Sequence, residues 1–118
     1  MRVIKLDPKR RRPSAAEIFT GDVETSTVFG GEESHDLTLS EIHFKNGARN
    51  RWHIHSTDQI LICTEGEGIV ATADEQRDLE AGIAALIPAN TRHRHGAKPG
   101  KNMTHLSVLG PADTRVVD

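Results

Sequence analysis

Apolar and polar positions alternate along this chain in short runs, and glycine, proline or an Asn-Gly pair interrupts them every few residues. Leu37 to Lys45, Gln59 to Thr64, Gly68 to Ala73, Ile83 to Ile87 and Met103 to Leu109 are too short for most helices and rich in β-branched residues, which predicts strands. Gly30-Gly31, Asn46-Gly47, Gly66, Gly82, Gly96, Pro99-Gly100 and Gly110-Pro111 supply the turns between them. The best helical stretch is Ser14 to Phe19, where Ser14 and Glu17 have capping-box spacing. About eight such strands in one small chain must each bury a face, by closing into a barrel or by stacking two sheets as a jelly roll. The expected class is all-β, with residues 1–18 as an N-terminal arm or short helix and residues 19–118 as the barrel.

Length and charge narrow the picture. A chain of 118 residues has room for one core. The longest uncharged apolar stretch, Ile83 to Ala89, is far below the ~20 residues that span a bilayer, so no membrane partner is expected. The start lacks the apolar run of a secretory signal and the lone Cys63 has no partner for a disulfide, which makes a reducing cytoplasm the expected location. With 15 basic against 17 acidic side chains and a net charge of −2, there is no field of the kind that binds nucleic acid. The basic run Lys9-Arg10-Arg11-Arg12, between Pro8 and Pro13, reads as a solvated arm rather than a contact for an acidic partner.

Histidine is the unusual component: seven residues, against three Phe, one Trp and no Tyr. His53 and His55 are two apart on an extended segment, so both imidazoles project from one face while Trp52 and Ile54 take the other. Gln59 follows a polar turn, His93 and His95 repeat the two-residue spacing, and His105 lies on a later strand. A barrel can gather these into one pocket. Inward-facing neutral imidazoles are the commonest protein ligands for divalent first-row metals, and three with one oxygen donor leave positions open for substrate. A single histidine would be read as structural or exposed, as His35 and His43 are here. His53, His55, Gln59 and His93 together read as candidate metal ligands. Cys63 reads as a small core residue and Trp52 as packing or an oligomer contact, whereas Phe29, Ile42 and Phe44 fit either the barrel's cover or its pocket.

These residues carry a family resemblance. Gly47, five residues, His53, one, His55, three, Gln59, six and Gly66 resembles the first motif of the cupins, with Gln59 replacing the usual acidic ligand. Gly82, five residues, Pro88, one, Asn90, two and His93 resembles the second, with Asn90 in place of the usual Gly and Ala97 where Asn is frequent. The resemblance implies a double-stranded β-helix, a jelly-roll cupin barrel, with His53, His55, Gln59 and His93 on one divalent metal per chain. Over nearly the whole length, Phe19-Thr20-Gly21, Trp52 to His55, Gln59, His93 to Ala97 and Met103 to His105 look like the single-domain cupins related to manganese-dependent hydroxynitrile lyases and to cupins associated with carboxymuconolactone decarboxylases. Manganese is the metal this implies, although iron and zinc suit the same donors, and a homodimer is the assembly it implies. Arg94 stands where those relatives often carry an aromatic residue, and Ser40 and Ile42 need not match their pockets.

The neutral amide of Gln59 leaves a bound divalent ion its full formal charge, which favours Lewis-acid over redox chemistry. The first expectation is therefore a lyase acting on a small hydroxyl or carbonyl compound. In that reading His105, titrating near neutrality, moves the proton and His95 assists as proton donor or as a hydrogen-bonded support for the ligands. An iron dioxygenase using the same four ligands, and a metal-stabilised binding domain without turnover, are the alternatives.

Overall fold

A computed structural model describes all residues 1–118 and bears out the all-β expectation. Ten strands run in chain order: β1 (Arg12–Pro13), β2 (Phe19–Phe29), β3 (Thr38–Asn50), β4 (His53–His55), β5 (Gln59–Thr72), β6 (Gln76–Glu80), β7 (Ala84–Ile87), β8 (His93–Ala97), β9 (Met103–Leu109) and β10 (Thr114–Val116). The remaining regular element is a single 3-10 turn at Pro8–Arg10, capped by Asp7, whose carboxylate accepts from the Lys9 amide. No helix is long and apolar enough to cross a membrane.

All pairings are antiparallel, and β5 organises them. Its first part, Gln59 to Cys63, pairs with β7 on one edge and β9 on the other. Its second part, Gly68 to Thr72, lies between β6 and β8. Neighbours β3 and β2 extend the first sheet beyond β9, while β4 and β10 extend the second beyond β8. The register shifts between Cys63 and Glu65, and the bend continues through Gly66 at φ 81°. A Cβ at Gly66 would lie 2.1 Å from the Asn102 carbonyl oxygen, so this close approach of backbones requires glycine. The two sheets close into a barrel through the meeting of β3 with β8 at Arg49 and Gly96.

Alternation along the strands fills the interior with Val23, Phe44, Ala48, Leu61, Cys63, Leu79, Ile87, Ala97 and Met103. Each fully buried Phe, Leu or Met side chain contributes ~2 kcal/mol. Phe44, left open by periodicity, is a core residue; Ile42 packs half-buried against the core, and Phe29 ends β2 far from it, beside Met1 and Arg2. Cys63 is buried as expected, with burial pushing its thiol pKa up.

Two expectations for the N-terminal segment fail. Ser14 to Phe19 is not helical: it turns at Glu17–Ile18, and Phe19 opens β2. The Phe19 amide donates to the Ala16 carbonyl, and the capping pair is overridden by Arg12 and Pro13 pairing with Thr25 and Glu24 on β2. Nor is the basic run simply solvated. Arg11 lies on the barrel, its Nε donating to Glu41 at 2.7 Å with both side chains largely covered. The Glu41 carboxylate, buried on β3, needs that cation, and the contact raises the Arg11 pKa.

Candidate metal centre

Strand alternation delivers the site. His53 and His55 point inward from β4, and His93 on β8 is the cross-strand partner of His53. The Nδ1–H groups of His53 and His93 each donate to the carbonyl two residues earlier, Arg51 at 2.7 Å and Thr91 at 2.8 Å. A carbonyl only accepts, so each ring carries its proton on Nδ1 and offers the Nε2 lone pair. His55 Nδ1 lies 2.8 Å from Thr114 Oγ1 on β10, a contact that engages Nδ1 and orients the ring with Nε2 toward the other two. The ring centroids are 4.1 Å apart for His53 and His93, 4.8 Å for His53 and His55, and 5.3 Å for His55 and His93.

These three rings form a group able to hold a metal ion, with donor atoms within 4.8 Å of one another. The donors fit a cation in a second respect. His53 Nε2 and His55 Nε2 are buried without any hydrogen-bond partner. His93 Nε2 faces Gln59 Oε1 at 3.2 Å, while the Gln59 amide donates through its own Nε2 to Ser107 Oγ at 2.9 Å. One lone pair therefore confronts another, an arrangement that costs energy in a dry interior unless a positive charge sits between them. Burial pushes the His53 pKa down to about 3 and the His55 pKa to about 4, and it lowers that of His93, so all three rings are neutral at neutral pH.

His95 and His105 lie next to this group. The His95 ring is centred 5.7 Å from that of His53 and 5.8 Å from that of His93. On its other side, His95 Nδ1 is 3.0 Å from His105 Nε2. His95 thus stands between His105 and the three rings, and one proton is shared along that pair. Phe44 packs on both, with centroids 6.1 Å from His95 and 5.4 Å from His105. The expectation that His105 titrates near neutrality is corrected: complete burial pushes its pKa to about 4, and that of His95 well below its ordinary value.

Three residues of the site were not singled out by the sequence. Asn50 accepts from the His95 amide at 2.8 Å and places its Nδ2 3.4 Å from the His95 ring nitrogens. Ser107 orients Gln59 and Thr114 orients His55. Alternation from His105 along β9 carries a signal for Ser107, but Asn50 and Thr114 reach the site only through long-range strand pairing. His35 is exposed and His43 bonds Thr104 through Nδ1, so neither joins the group. Trp52 packs outside the barrel, with the Arg92 and Arg94 guanidiniums 4.1 and 4.8 Å from its ring.

Comparison with known proteins follows the same lines. The chain is 31% identical over 104 residues to an (R)-mandelonitrile lyase from Granulicella tundricola, covering 87% of this chain and 79% of that protein. It is 31% identical over 81 residues to the dimethylsulfoniopropionate lyase DddW from Ruegeria pomeroyi, covering 67% of this chain and 53% of that one. A solved cupin-like protein from Thermotoga maritima superposes with a TM-score of 0.80 at 32% identity, over 88% of this chain and 84% of the other. The cupin domain family matches residues 40–109, a span that contains His53, His55, Gln59, His93 and the His95–His105 pair, and the chain belongs to that family.

Proposed function

We propose that this cupin is a metal-dependent lyase that cleaves a small hydroxyl-bearing substrate, a cyanohydrin being the first candidate. The observation that carries this reading is the grouping of three imidazoles with donor atoms within 4.8 Å of one another, two of their Nε2 atoms buried without a partner and the third facing the Gln59 amide oxygen, with a second imidazole pair alongside. Similarity along 87% of the chain to a mandelonitrile lyase supports the choice of reaction. His53, His55, Gln59 and His93 are the ligands in this reading. A divalent cation there supplies Lewis acidity toward a substrate oxygen. The four side chains bring no formal charge, so nothing in the protein offsets that of the ion.

The protein's own part is proton transfer. His95 is neutral, lies beside the ligand rings and accepts the substrate hydroxyl proton as the bond from carbinol carbon to cyanide breaks. The electron pair of that bond leaves with cyanide, the carbinol carbon becomes a carbonyl, and the proton returns to give hydrogen cyanide. His105 accepts or returns a proton through its 3.0 Å contact with His95, spreading the charge over two rings. Phe44 and the surrounding core keep water from that pair.

The test is release of benzaldehyde from mandelonitrile by protein stripped of metal and then loaded with manganese, zinc or iron(II), with dimethylsulfoniopropionate as a second substrate because of the second lyase relative. Turnover by a loaded form that falls by at least about a hundredfold in His105→Ala, with metal content unchanged, is the expected result. Metal-loaded protein that binds but turns over neither substrate, or a fully active His105→Ala, contradicts the reading.

A further inference from the structure

A cavity of about 410 Å³ runs along β8, lined by residues that face outward from the second sheet and also by His95 and Ala97 of the inward face. Register explains what lines it. Opposed residues on antiparallel strands share a face, so Gly96 brings Ile69 of β5 and Arg49 of β3 to one side, and Ile69 in turn brings Asp78 of β6. Arg94, two residues before Gly96, projects to that same side, as does Gln76 opposite Ala71. Gly96 permits the close crossing of β3, because a Cβ there would be 2.5 Å from Arg49 Cα.

The charges in this cavity do not cancel. Lys98 is held by Asp78 at 3.1 Å and Glu80 at 3.3 Å. Arg49 and Arg94 have no carboxylate partner within ion-pair distance and donate no side-chain hydrogen bond, and Arg94 Nε is buried without an acceptor. A buried guanidinium N–H without a partner is costly, and a guanidinium packed against an indole face, as Arg94 is on Trp52, is fixed with its donors directed sideways. Arg49, exposed on β3, lines the same cavity from the same face as Arg94, with Gln76 on its wall, and two unpaired guanidiniums there supply the donors that an oxyanion accepts.

We propose that this outer cavity binds a small organic anion through a carboxylate or phosphate group, clamped by Arg49 and Arg94. The volume exceeds that of a bare oxyanion and leaves space for a short organic body against Ile69. Arg49 and Arg94 face away from His93 on β8, so the anion's charged group is held without the proposed metal ligands, although His95 also lines the cavity.

Isothermal titration of the full chain with inorganic phosphate and with citrate, against sodium chloride at matched ionic strength, tests this. Saturable binding of at least one of the two at one per chain, weakened about tenfold or more in Arg49→Gln and in Arg94→Gln, is expected. Phosphate alone binding identifies a phosphate group, and citrate alone a carboxylate. His53→Ala should bind the anion as the wild type does, which separates this site from the metal-centre reading. Arg49 is exposed, so Arg49→Gln folds normally and gives a readout even if Arg94→Gln does not. No saturable binding of either anion by about 10 mM, or binding unchanged in Arg49→Gln, overturns the proposal.

Discussion

At the residue scale, the orientation of single hydrogen bonds decides what the site can hold. Gln59 presents its oxygen to His93 while its amide nitrogen donates to Ser107, and His55 turns Nε2 toward the other two rings while its Nδ1 is engaged by Thr114. Replacing such a supporting group typically costs 10- to 100-fold in metal affinity. Ser107→Ala and Thr114→Val should each weaken manganese or zinc binding by about tenfold in calorimetric titration, with Thr114→Ser close to wild type. Unchanged affinity in both would mean the tautomer and the amide orientation are set elsewhere. The common face of His53 and His55 was legible in the sequence because a two-residue spacing on a strand fixes it. Their supporting partners were not: Asn50 is joined to His95 across 45 positions and Thr114 to His55 across 59, and no local period links residues so far apart.

At the scale of elements, the N-terminal arm shows where local signals lose to tertiary pairing. Ser14 and Glu17 favour a helical turn by themselves, yet Arg12 and Pro13 add to the edge of β2, and Arg11 continues across the barrel to Glu41. Arg11→Ala would leave the Glu41 carboxylate buried and unpaired, and should lower unfolding free energy by about 3 kcal/mol in urea titration, whereas Arg11→Ala with Glu41→Gln should recover most of it. Equal losses in the single and double variants would show that the pair is not coupled. β-branched alternation located β7 and β9 and both halves of β5, but Asn46-Gly47, Gly66 and Gly96, read as turns, lie inside β3, β5 and β8, because bends and close backbone crossings within long strands also need glycine. The last strand, β10, escaped notice: Thr114–Val116 is three residues long and is held by its register with β4 and by Arg51, which bonds Asp118.

At the scale of the molecule, a barrel interior containing five buried histidines must depend on pH. In the metal-free chain, burial lowers the His53, His55 and His105 pKa values from 6.5 to about 3, 4 and 4. Between those values and 6.5 the unfolded chain binds protons that the folded chain does not, so stability is full above pH 6.5 and is lost as pH falls toward 4. Three such groups give a slope of up to ~4 kcal/mol per pH unit near pH 5, measurable as a falling denaturation midpoint, and a flat profile there would contradict the burial of neutral rings. The barrel's exterior also carries Ile60, Ile62 and Leu86 exposed on adjacent strands, with Ile60 opposite Leu86. Light scattering should give the mass of a homodimer that Leu86→Glu dissociates, and a wild-type monomer would refute the pairing. Jelly-roll topology and the grouping of His53, His55 and His93 were recoverable from the chain because two motifs carry both, but the low pKa of His105 was not, since alternation tells which face a ring takes and not how completely it is buried. The most direct test of the whole account is metal content per chain by elemental mass spectrometry, on protein purified without added metal and again after reconstitution, beside His53→Ala. Close to one divalent transition metal per chain in the wild type, lost in the variant, is the predicted result. No metal above the variant's level in either preparation would contradict the site on which the function rests.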